Sequence, residues 1–72
     1  MFVVLLTSLS HDPILKPFNH RGNAVSEMLR NLTREGWPHK EAAEAAEKGS
    51  PVLLADDGNG SEIRIVALAA GD

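Results

Sequence analysis

Phe2-Val3-Val4-Leu5-Leu6 places five large apolar residues in a row with no polar residue among them. A strand covered on one face alternates apolar and polar residues, because successive side chains point to opposite sides of the sheet. A strand that is apolar at every position needs cover on both sides. A chain of 72 residues has little material for two covering layers. Either an irregular segment folds over the second face, or another molecule does.

The length makes residues 1–72 a single small domain, near the lower limit for one unaided hydrophobic core. There is no cysteine, so disulfides, thiolate metal ligands and a cysteine nucleophile are excluded. This fits a reducing, cytoplasmic setting. Apolar content of 43% and charged content of 24% are those of a folded globular chain rather than a disordered one. A net charge of −3 argues against broad binding to nucleic acid or to an anionic membrane. The apolar start does not read as a signal peptide: it is short, no Lys or Arg precedes it, and His11-Asp12-Pro13 follows without a small-residue cleavage site. No run approaches the length of a membrane span.

Residues 2–7 read as a buried strand. Pro13 and Pro17 predict an irregular segment from Ser8 to Gly22, yet it carries Leu9, Ile14, Leu15 and Phe18, more apolar surface than a solvated linker needs. A helix is expected from about Asn23, as N-cap, to Glu35. Val25, Met28, Leu29 and Leu32 form its apolar stripe, and Gly36 stops it. Pro38 then opens a second helix that runs to about Lys48 and ends at Gly49. Its Ala42, Ala43, Ala45 and Ala46 permit close approach to a neighbour, and Lys40–Glu44 and Glu44–Lys48 have the spacing of supporting ion pairs. Trp37 between the helices is the expected plug against the sheet.

Pro51 to Ala55 reads as a second strand, Asp56 to Ser61 as a hairpin turn, and Glu62 to Ala69 as a third strand. The order is β-α-α-β-β. This predicts an α+β two-layer sandwich, a three-stranded sheet with a helical hairpin on one face. The helices cover that face only. The other face would present about five aliphatic side chains, each worth roughly 1.5–3 kcal/mol on full burial. The internal candidate for covering it is the segment through Ile14, Leu15 and Phe18.

Motifs with chemical content are sparse. His11, Lys16, His20, Arg21 and Asn23 surround the start of the first helix, where free amides favour a phosphate or carboxylate. There is no Walker-type or dinucleotide glycine pattern beside them. His11, Asp12, His20 and His39 match no metal-ligand spacing. Ser8, Ser10, His11 and Asp12 supply nucleophile, base and orienter types, but neighbours on one loop do not make triad geometry. Asp57, Asn59 and Ser61 start like a calcium loop, but Glu62 replaces its glycine and Leu68 its final carboxylate. Glu41, Glu44 and Glu47 recur along the second helix as a solvated row or an acidic patch for a basic partner. The turn Leu32-Thr33-Arg34-Glu35-Gly36-Trp37 ahead of an Ala/Glu helix resembles the C-terminal domain of the ribosomal stalk protein. That family continues with a helix where this chain predicts a hairpin, so no function carries over.

The expectation is a non-enzymatic, cofactor-free interaction module with a protein partner. A small regulator or inhibitor of a larger complex, of the kind phages and mobile elements encode, suits its size. A homodimer through the sheet is expected, either by edge pairing of the first strand or by packing of two open faces. Phe2, Val3, Leu5, Ile14, Leu15, Phe18, Glu41, Glu44 and Glu47 are the interface candidates. The alternative is a small anion- or nucleotide-binding protein that uses residues 8–22 and the N-terminus of the first helix.

Overall fold

The computed structural model describes residues 1–54 and 60–68. It contains β1 (Phe2–Thr7), β2 (Ile14–Phe18), α1 (Arg21–Arg34), α2 (His39–Lys48), β3 (Val52–Leu53) and β4 (Glu62–Ala67). The sheet is antiparallel and four-stranded, in the order β2-β1-β4-β3. The class is therefore α+β as expected, and the sheet gains one strand over the three expected from sequence.

The extra strand is the segment expected to be irregular. Residues 14–18 pair with β1 in the register Phe2↔Phe18, Val4↔Lys16, Leu6↔Ile14. Proline stops a central strand because it removes a ladder amide. An edge strand needs only the amides on its inner side, so Pro17 is tolerated in β2. Ile14, Leu15 and Phe18 thus widen the sheet rather than fold over it. β1 becomes a central strand with β2 on one side and β4 on the other; these neighbours fill its hydrogen-bonding edges and leave the face away from the helices without a covering element among the described residues.

Both helices end as expected. Gly36 has φ of 96°; its amide bonds the Thr33 carbonyl, and the Trp37 amide reaches back to Leu32. These two bonds are those of a Schellman motif, whose hydrophobic contact lies between Trp37 and the core around Leu32. The Trp37 indole also donates to the Leu54 carbonyl at 3.1 Å, which ties the inter-helix turn to the end of β3. Gly49 closes α2 in the left-handed conformation. A side chain there is disfavoured twice, since a Cβ would also stand 3.1 Å from the Ile65 Cβ, which would have to give way by a few tenths of an ångström.

α1 starts earlier than expected, at Arg21. His20 is its N-cap without a side-chain bond, and Asn23 lies inside the first turn. The core comprises Val4, Ala24, Met28, Leu32, Ala42, Ala46, Leu54 and Ile63, with Phe2, Leu6, Phe18, Val25, Leu29, Trp37, Val52 and Ile65 around it. α1 packs on β1, β4 and β2, while α2 packs chiefly on α1 through its alanines. The expected hairpin over residues 56–61, and with it the calcium-loop comparison, lies mostly outside the described residues.

Candidate functional site

Pairing register sorts the strand residues into two sets. Phe2, Val4, Leu6, Lys16, Phe18, Val52, Ile63 and Ile65 face the helices. Val3, Leu5, Thr7, Leu15, Pro17, Leu53, Glu62, Arg64 and Val66 face the other way. On that second face Leu15 is 61% exposed and Leu53 is 59% exposed. Val3 is buried, Leu5 and Val66 are partly exposed, and no described element packs over the face. Among the described residues its charged side chains are Glu62 and Arg64, two positions apart on β4, and neither forms an ion pair with another described residue.

The helix-facing side carries one polar cluster. Lys16 projects from β2 and its Nζ donates to Glu27 Oε2 at 3.0 Å. Asn31, one turn on from Glu27, donates to the same oxygen and to the Glu27 carbonyl. Arg30 stands 3.5 Å from Oε1. These donors account for a carboxylate that is nearly buried. The Lys16 hydrogen bond is the largest cause holding the Glu27 carboxyl below its ordinary value; Asn31 and the charges of Lys16 and Arg30 add to it, against the opposing cost of burial. Glu27 and Asn31 therefore fall on the buried stripe of α1, a stripe expected to be wholly apolar. The pair sits at i,i+4, a signal visible in the sequence, but its partner Lys16 is recognisable only once β2 exists.

The five anion-binding candidates do not converge on one another. Lys16 is engaged by Glu27. Arg21 bridges to α2, with one guanidinium nitrogen on the Glu47 carboxylate at 3.2 Å and the other on the Glu47 carbonyl. His11 donates from Nδ1 to the Asp12 carbonyl within its own turn. His20 and Asn23 are exposed at the start of α1. The Arg21 bridge also breaks the acidic row: Glu41 and Glu44 remain solvent-facing, whereas Glu47 is paired. The ion pairs expected at Lys40–Glu44 and Glu44–Lys48 are not formed. A shallow, largely apolar depression of about 390 Å³ runs beside Ala43, Glu44, Glu47 and Lys48.

Among the interface candidates, Val3, Leu5 and Leu15 lie on the helix-free face, while Phe2, Ile14 and Phe18 lie on the helix side. Leu53, Val66 and the Glu62–Arg64 pair share the helix-free face and are not among those candidates. The alternation of Glu62 and Arg64 with Ile63 and Ile65 marks which face of β4 the helices do not cover. No group of three or more His, Asp or Glu residues among the described residues is placed to hold a metal ion. No helix among them is long and apolar enough to cross a membrane. Comparisons with protein-family models, curated proteins and solved structures find no match to this chain.

Proposed function

We propose that this chain is a non-enzymatic interaction module, a small regulator or inhibitor that acts in the cytoplasm by docking on another protein chain through the helix-free face of its sheet. The observation that supports this reading is the composition of that face. It presents Leu5, Leu15, Pro17, Leu53 and Val66 around one Glu and one Arg, with Leu15 and Leu53 open to solvent. An apolar surface with a few charges, contiguous across four strands, is the character of a protein-binding patch. The anion-binding alternative has less support, since both Lys16 and Arg21 already hold carboxylates of the chain itself.

Photo-crosslinking tests this reading. A benzoylphenylalanine placed at position 15 or 53, in cells that make the protein, is expected to capture a protein chain. The same probe at Glu41 or Glu44, on the outer side of α2, is expected to capture none. Adducts from the helical positions alone would overturn the proposal.

A further inference from the structure

The sheet leaves one way for two copies of this chain to meet. Edge pairing through β1 is closed, because β1 has neighbours on both sides. The true edges are poor templates. β2 carries Pro17 and an engaged Lys16, and β3 is only two residues long. What remains is the broad face. Resting on the docking reading above, we infer that the occupant of this face is a second copy of the chain, packed sheet to sheet about a two-fold axis, with Arg64 of each copy against Glu62 of the other.

Three features carry this. The first is charge. The face holds one acid and one base among its described residues, and neither has an ion-pair partner among them. A two-fold turns such a surface on itself and meets each sign with the opposite one, so desolvating the pair is offset twice over. A nucleic acid or an anionic membrane would instead call for an excess of base that this face lacks. The second is extent. The face runs across all four strands, from Leu15 and Pro17 on β2 through Leu5 on β1 and Val66, Arg64 and Glu62 on β4 to Leu53 on β3. The third is packing mode. Two sheets stacked about 10 Å apart interdigitate their inner side chains, and Leu15, Leu53 and Val66 stand on the side where such a layer forms.

Sedimentation velocity from micromolar to near-millimolar concentration reads the outcome. The wild type is expected to shift from monomer to dimer. Leu15→Glu is expected to stay monomeric with an unchanged circular dichroism spectrum. Arg64→Glu and Glu62→Arg each juxtapose like charges and should weaken the dimer by about tenfold. The double variant Glu62→Arg/Arg64→Glu restores opposite signs and should recover it. Because Glu62 and Arg64 lie away from the core, this arm holds even if Leu15→Glu fails to fold. A folded monomer at every concentration would overturn the inference, as would a dimer indifferent to all three charge variants. A monomer that still cross-links from position 15 to a different protein would remove the second copy and leave the docking reading standing.

Discussion

The two faces of this sheet are built from the same strands and differ in what happens to their polar groups. On the helix side the intruding charge, Glu27, is met by Lys16, Asn31 and Arg30. On the far side Glu62 and Arg64 sit among apolar residues with no ion-pair partner among the described residues. A fold completes its own core before anything else, because a buried, unpaired charge costs several kcal/mol. Polar groups left without internal partners on an apolar face therefore mark where the chain's own packing stops. The two faces thus meet at a boundary between what stabilises the chain itself and what its described elements leave uncovered.

The largest effect should come from the completed side. Leu32 is fully buried between α1 and the sheet. Leu32→Ala is expected to destabilise the fold by about 2–5 kcal/mol, from lost transfer energy and the cavity left behind. Urea unfolding followed by circular dichroism measures this. A loss below about 1 kcal/mol would mean that the helix layer is not the core this comparison requires.

Gly49 comes next, at the seam where α2 returns to the sheet. Its φ of 67° and the 3.1 Å approach of the Ile65 Cβ both resist a side chain. Gly49→Ala should cost about 1–3 kcal/mol. The Ile65 amide bonds the Gly49 carbonyl at 2.9 Å, so exchange of that amide should quicken in the variant.

What the sequence makes legible here is what neighbours in the chain decide. Gly36 and Gly49 announce the helix ends, since only the local backbone conformation is at stake. The all-apolar run in β1 announces a strand in the core, although the helices cover one of its faces and no described element covers the other, and Trp37 announces a plug. β2 stays hidden because its evidence is an edge position, and an edge is a property of the assembled sheet. Pro17 reads as a breaker until a neighbouring strand is known to use only the other side. Likewise Glu27 depends on Lys16 eleven residues earlier, and Arg21 on Glu47 twenty-six residues later. The site follows the same rule. Val3, Leu5 and Leu15 can be named from their character, but Leu53, Val66 and the Glu62–Arg64 pair join them only through register.

The Glu27 cluster gives a smaller effect with a definite pH sign. Its carboxyl titrates below the ordinary glutamate value when folded, so its ionised form is the one the fold favours. The contribution is present in full above the unfolded value of about 4.3 and is lost as pH falls through the lower folded value. Glu27→Gln should therefore cost about 1–2 kcal/mol at neutral pH, the scale of a hydrogen bond to a charged group with a half-exposed partner. That gap should close in acid, where the wild type is protonated as well. A gap that stayed constant down to strongly acidic pH would assign the loss to packing rather than to charge.

The smallest monomer effect belongs to the open face, and concentration is what gives it meaning. Leu15 is 61% exposed on an edge strand. Leu15→Thr keeps a strand-forming residue there and removes little buried area, so unfolding at high dilution should shift by no more than about 0.5 kcal/mol. A second copy on this face changes the reference state: association stabilises the native chain by mass action, and Leu15 is buried only in the dimer. The wild type should then gain stability as concentration rises while the threonine variant gains less, so the two unfolding midpoints diverge. Midpoints that remain parallel across the range would show that Leu15 stays open to water at every concentration, and the boundary drawn between the two faces would then mark an edge of the core with no partner of its own kind.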